Sequence, residues 1–271
     1  MTGTPASTPP MLRFTDLLGR ADSVDGRAKL DLPDEWSQGR CVFGGLVAAT
    51  AVRAMRAHVD PQRRLRSLHV SFIAPARSGT VELAARTLRS GQNVSHVESR
   101  VSQGDELCCV ALGMFAADRA SPAVLASPPR PPAPEPEGLT RVPYVPGLTP
   151  AFIRHFDYRV TEAEQLPDRS ELGGWCRFDE PLAPAPNWES IVGLADAWPP
   201  TIWPQLQPPP RVVSVSWSLE FVHVPASVDG WWFYRANTAN LVDGHAHEHA
   251  TLWDPAGQVA AVSRRLLAVW S

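Results

Sequence analysis

Ser71 to Gly79 reads SFIAPARSG, and Glu220 to Gly230 reads EFVHVPASVDG. Laid over each other, the stretches set Phe72 on Phe221 and give each a strand end, a proline and a turn of small residues. Working outward, SHVES from Ser95 falls on AHEHA from Ala246, and SQGDE from Ser102 lies against DPAGQ from Asp254, where Gly104 matches Gly257 with an offset of one residue. The surrounding elements repeat as well. In the first half a strand-like piece, Ala28 to Leu32, precedes Phe43, Leu46, Val47, Ala51, Ala54 and Met55 at the spacing of a buried helix. Four β-rich stretches follow, near Arg66 to Ala74, Thr80 to Arg89, Asn93 to Gln103 and Leu107 to Ala116. The second half has a strand at Trp175 to Phe178 and a helical segment around Trp188 to Asp196. Strands are then predicted at Val212 to Val222, Trp231 to Thr238, His245 to Trp253 and Val259 to Trp270. Such a chain is α+β, a duplicated unit in which one helix packs on one antiparallel sheet.

Between the halves, Ser121 to Pro146 reads SPAVLASPPRPPAPEPEGLTRVPYVP. Prolines at this density propagate neither a helix nor a central strand, so an extended connector is expected. The predicted division is 12–118 for the first unit, a Pro-rich linker over 119–146, and 147–271 for the second.

The composition, 44% hydrophobic and 20% charged, is that of a folded globular protein. A net charge of −3 and a pI of about 6.2 provide no basic field for a phosphate backbone, so nucleic acid is not an expected partner. The longest uncharged apolar stretch, Cys41 to Val52, falls short of the roughly 20 residues that span a bilayer. The start, MTGTPASTPP, has neither the basic nor the apolar region of a secretory signal, and a cytoplasmic location is expected. Cys41, Cys108, Cys109 and Cys176 show no zinc spacing and read as small core residues. No G-x-S-x-G elbow, phosphate loop, G-x-G-x-x-G or H-E-x-x-H occurs.

Further residues carry a family resemblance. In the first half these are Arg40-Cys41-Val42-Phe43-Gly44-Gly45 opening the helix, Ser67-Leu68-His69 with Phe72 and Pro75, and Leu88-Arg89-Ser90-Gly91 followed by Ser95. In the second they are Leu194-Ala195-Asp196, Ser214 to Phe221, and Thr251-Leu252-Trp253-Asp254 with Gly257. With the duplicated order of elements, they make the chain resemble the thioesterase II type, TesB-like acyl-CoA thioesterases. The resemblance implies a double hotdog fold, acyl-CoA as substrate, free CoA as product, no other cofactor, no metal, and a place in fatty acid metabolism. A homo-oligomer is compatible with it but not required, because duplication already supplies the two-hotdog unit.

That family uses an aspartate on the second helix, a hydroxyl residue on the following strand and a glutamine on the last strand to drive water onto the thioester. Carried over, the first two fall on Asp196 and Ser214. The third falls on Arg265, in Ser263-Arg264-Arg265-Leu266, with Arg264 the alternative one residue away. An arginine beside Asp196 would pair with it and weaken it as a base, or would stabilise an oxyanion. A hotdog protein that holds an acyl thioester without turnover is therefore the alternative reading. Other residues carry two readings each. Asp196 is a base or an end-of-helix residue before Pro199-Pro200, and Ser214 holds water or belongs to a solvated row with Ser216 and Ser218. Gly44 and Gly45 admit a thioester carbonyl to backbone N–H groups or permit close helix packing. Trp198 and Trp217 line an acyl pocket or fill the core. His245, His247 and His249 share one strand face, as metal ligands or as an outer polar face open to a subunit contact.

Overall fold

The computed structural model describes residues 11–21, 26–161, 170–179, 188–206, 211–225 and 227–270. The opening ten residues, on which the expectation about a secretory signal rests, lie outside the described residues. The first half runs α1 (Phe14–Arg20), β1 (Arg27–Leu32), a small hairpin of β2 (Ser37–Gln38) and β3 (Cys41–Val42), α2 (Gly44–Met55), β4 (Arg64–Phe72), β5 (Gly79–Ser90), β6 (Val94–Gln103) and β7 (Glu106–Ala116). The second runs β8 (Phe156–Val160), β9 (Ser170–Phe178), α3 (Trp188–Asp196), β10 (Arg211–Phe221), β11 (Trp232–Val242), β12 (His245–Trp253) and β13 (Val259–Trp270). Both predicted helices and all the predicted strands are present. The sequence pattern missed α1, β8 and the hairpin, and it started β9 too late.

The two sheets are one. Strand β4 pairs antiparallel with β10, from Ser216 opposite Ser71 to Glu220 opposite Ser67. This gives an eleven-stranded sheet in the order β1-β5-β6-β7-β4-β10-β13-β12-β11-β9-β8. Joining the halves edge to edge satisfies two rows of backbone groups that separate units would leave open.

Helix α2 is apolar on nearly all sides: Leu46, Ala48, Ala49, Thr50, Ala51 and Val52 are buried, as befits a helix enclosed in a core rather than laid on a surface. It lies antiparallel to α3, and the pair is tied at both ends. At one end the Arg56 guanidinium holds the buried Glu189 carboxylate at 2.8 Å and covers the Trp188 ring. At the other, the first turn of α2 meets Asp196, the last residue of α3. Among the described residues no helix is long and apolar enough to cross a membrane.

The connector is extended, as its prolines predict, but it is packed. Prolines lack an N–H and keep their carbonyl, and two of those carbonyls accept indole protons: Pro134 from Trp175 at 2.9 Å and Pro128 from Trp253 at 3.4 Å. Arg130 lies over Trp175 at 4.5 Å, and Ala133 and Leu139 cover a second small core of Trp175, Phe233, Trp253 and Val259. The connector thus covers part of the sheet face that is turned away from the helices.

Strand β10 departs from the predicted alternation. Ser214 stands opposite Leu267 and Ser216 opposite Leu266, so Val215 is an extra residue in β10, a bulge. The expectation that Ser214, Ser216 and Ser218 share one face is therefore corrected. Ser214 lies on the inner face with Trp217, and the other two serines face outward. The cause lies in the pairing with β13, which the alternating RVVSVSWSLEF cannot reveal.

Candidate active site

Asp196 ends α3 because the next turn reaches Pro199-Pro200, which cannot continue the helix ladder. Its side chain is only 9% exposed. The Gly45 N–H, in the first turn of α2, donates to its carboxylate, an anion at a helix N-terminus. Gly44 and Gly45 make this approach possible. A Cβ on Gly44 would stand 3.0 Å from Asp196 Oδ2, and one on Gly45 would stand 2.9 Å from Asp196 Cβ and 2.5 Å from Phe43 Cζ. The distances are those of close packing, and the group that approaches the backbone of α2 here is Asp196. The Phe43 ring has no room to yield, being stacked on Phe152 at 4.3 Å. Gly45→Ala should therefore destabilise the protein by about 1–2 kcal/mol in urea unfolding, although alanine is the better helix former by about 1 kcal/mol. A variant as stable as the parent would show that the Gly45–Asp196 approach is slack.

Arg265 reaches the same carboxylate from β13. The register sets Arg265 opposite Trp217 on one side and Glu248 on the other, all on the inner face, while Arg264 points outward to His249. Of the two candidate arginines, the inward one is Arg265. Its Nη1 lies 3.1 Å from Asp196 Oδ1, and its Nη2 donates to the Ala195 carbonyl at 2.9 Å and to the Tyr234 hydroxyl at 3.2 Å. Its Nε lies 3.5 Å from Glu248 Oε1, an ion pair rather than a hydrogen bond. Burial opposes the charge on Arg265, but Tyr234, Asp196 and Glu248 outweigh it and hold the guanidinium protonated.

Two buried carboxylates thus share one buried cation. Burial raises the Asp196 pKa from 3.8 to about 6; Arg265 and the Gly45 N–H pull it down, and Glu248 pushes it up. The arginine has therefore not returned Asp196 to the ordinary carboxylate range. Held there, Asp196 is ionised at neutral pH and basic enough to take a proton from a bound nucleophile.

Glu248 was not singled out from the sequence, yet it is 1% exposed and completes the group. The signal was present. If His245, His247 and His249 share one face of β12, then Ala246, Glu248 and Ala250 share the other, and two alanines mark that face as buried. Each histidine has its own outer-face partner: the Asp243 carbonyl, the Asn240 side chain and Arg264, respectively. Among the described residues no group of three or more His, Cys, Asp or Glu side chains is placed to hold a metal.

Ser214 is half-buried on the inner face, two β13 positions from Arg265 through its partner Leu267. Both tryptophans are core residues. Trp198 is stacked on Tyr234 at 5.6 Å and edge-on to Tyr158, and the Trp217 indole donates to Ser263 Oγ at 2.7 Å. Neither presents an open wall, so the pocket-lining reading of Trp198 and Trp217 gives way to packing. A hollow of about 460 Å³ lined by Ser218, Asn237, His249, Thr251 and Arg264 opens on the outer face, with the sheet between it and Asp196.

Residues 32–116 match the acyl-CoA thioesterase N-terminal domain family, and residues 128–269 match the acyl-CoA thioesterase C-terminal domain family. No curated protein is similar enough in sequence to count as a relative. Among solved structures, a conserved hot dog fold protein of unknown function from Alicyclobacillus acidocaldarius is similar with a TM-score of 0.83 at 20% identity, over 94% of this chain and 98% of that one. A tesB protein of Mycobacterium avium subs paratuberculosis gives 0.77 at 20% identity, over 95% and 100%. An acyl-CoA thioesterase II from Mycobacterium marinum gives 0.76 at 17% identity, over 93% and 98%. With one half matched to each domain of the family, and the hotdog fold shared with these structures, the chain belongs to the acyl-CoA thioesterase family.

Proposed function

We propose that the protein hydrolyses an acyl-CoA, or a related acyl thioester, by attack of water activated by Asp196. The observation that carries this is a buried carboxylate at the first turn of α2 whose pKa stands at about 6. Asp196 takes a proton as the water oxygen bonds to the thioester carbon. Ser214 helps to place the water. Arg265, or a backbone N–H near Gly44, faces the oxyanion that forms. When the carbon–sulfur bond breaks, the thiolate receives the proton from Asp196, and free acid and CoA leave. The reading calls for no metal or redox cofactor, CoA being part of substrate and product.

The 3.1 Å contact between Arg265 and Asp196 favours a second reading, in which the ion pair silences the base and the protein holds an acyl thioester without turnover. Free-thiol release from short, medium and long acyl-CoAs separates the two. Release that depends on chain length and on Asp196 is expected. Saturable acyl-CoA binding with no release would establish the silent reading instead.

A further inference from the structure

The sequence departs from the family pattern by placing Arg265 where a glutamine is expected, and the structure sets a second unusual residue beside it. Glu248 is a glutamate between two alanines on an inward strand face, and burying a carboxylate there is unfavourable unless a cation answers it. Arg265 is that cation. Glu248 is also fixed from its other side, because its Oε2 accepts the Thr201 N–H at 2.8 Å, and the Thr201 hydroxyl meets that of Thr238 at 2.6 Å. Thr201 lies just beyond Pro199-Pro200, in the segment that follows Asp196 out of α3. Glu248 is thus anchored before it touches Arg265. The guanidinium bridges it to Asp196 with two different nitrogens, Nε and Nη1.

We propose that Glu248 is a positioning residue of the hydrolytic centre: it takes a share of the Arg265 charge, so that an arginine can stand in the glutamine position without disabling Asp196 as a base. The proposal rests on the reading of Asp196 as the base. A lone guanidinium at 3.1 Å in a buried site would pair fully with Asp196 and make it a poor proton acceptor. Burial is the main cause of the raised proton affinity of Asp196; with Glu248 present, two carboxylates compete for one cation and Arg265 cancels less of that rise. The other titratable groups around the cluster are Tyr234 on β11, which accepts from Arg265, and Tyr158 on β8, which donates to the Ala197 carbonyl. Burial raises the pKa of both, so they stay neutral across the range in which Asp196 titrates. From α2 the site receives backbone N–H, not charge.

The test is a carboxyl-carbon NMR titration of the full-length protein with labelled aspartate, Asp196 being assigned by the signal lost in Asp196→Asn. Glu248→Gln keeps an acceptor for the Thr201 N–H and should lower the Asp196 pKa by about one unit or more. Arg265→Gln should raise it by at least as much. The double variant, which removes one charge of each sign, should return it to within about half a unit of the parent. The acid limb of kcat/KM should move in the same directions. An Asp196 pKa that stays put or rises in Glu248→Gln would overturn the proposal. If that variant does not fold, a pKa displaced by more than about one unit in the double variant would overturn it equally. Failure of the base reading appears elsewhere, as turnover that survives Asp196→Asn, and the titration is independent of turnover.

Discussion

Asp196→Asn is expected to lower kcat/KM by about a hundredfold or more, the usual span for a positioned base, while making the folded protein more stable above about pH 6. The two effects share one cause. A carboxyl group whose pKa rises from 3.8 in the unfolded chain to about 6 in the fold keeps its proton longer when folded than when unfolded. Below pH 3.8 its contribution to stability is fully present. Between 3.8 and about 6 the unfolded chain gives up the proton first, so stability falls as pH rises, and above about 6 the loss is complete. At about 1.4 kcal/mol per pKa unit, the difference between about 6 and 3.8 comes to roughly 3 kcal/mol. Asparagine does not titrate and escapes this loss. Arg265 keeps Glu248, the Ala195 carbonyl and the Tyr234 hydroxyl in the variant, so no buried cation is orphaned. Urea unfolding near pH 8 should therefore show the variant ahead by up to about 3 kcal/mol, a margin that closes as pH falls toward 4. Thiol release reduced less than threefold would remove Asp196 from the role of base. A stability margin that ignores pH would show that its carboxyl is not perturbed.

What the sequence disclosed about this site follows from what a local pattern can encode. The repeat, both helices and the long strands were legible because burial imposes periods of 3.6 and 2 on the residues themselves. The pairing of β4 with β10 was not, because any two compatible edges can join and nothing local to either strand marks its partner. The bulge at Val215 was invisible for a related reason. From Val213 to Phe221 apolar and polar residues alternate without a break, and the extra residue exists only relative to β13. Asp196 and Arg265 were reached through the family resemblance, and the expectation that they would pair agrees with the 3.1 Å contact. Glu248 lies within Ala-His-Glu-His-Ala, where the three histidines mark only the outer face of the strand. A single inward glutamate means little until the strand register places it opposite an inward arginine, and register is a tertiary fact.

Removing the cation rather than the base should produce the largest loss of stability at this site. Arg265→Met keeps most of the side-chain volume, so the cavity contribution is small, and it leaves Asp196 and Glu248 buried with no positive partner. Breaking a buried charge pair from one side typically destabilises by about 3–5 kcal/mol, and that is the loss expected in urea unfolding near pH 8. The dependence on pH identifies the cause. At about pH 5 Asp196 already carries its proton, since its pKa is about 6 even beside Arg265, so its own desolvation and its repulsion with Glu248 are absent. What persists is the buried Glu248 carboxylate left without its cation, together with the lost hydrogen bonds to the Ala195 carbonyl and the Tyr234 hydroxyl, the latter about 1–2 kcal/mol. The variant should thus be penalised more at pH 8 than at pH 5, and adding Glu248→Gln should recover at least half of the pH 8 loss. An equal loss at both pH values, untouched by the second substitution, would mean that Arg265 serves only as packing and hydrogen-bond donor. A loss that grows with pH would identify it as the countercharge that lets two carboxylates share one dry site, the condition under which Asp196 is both buried and basic.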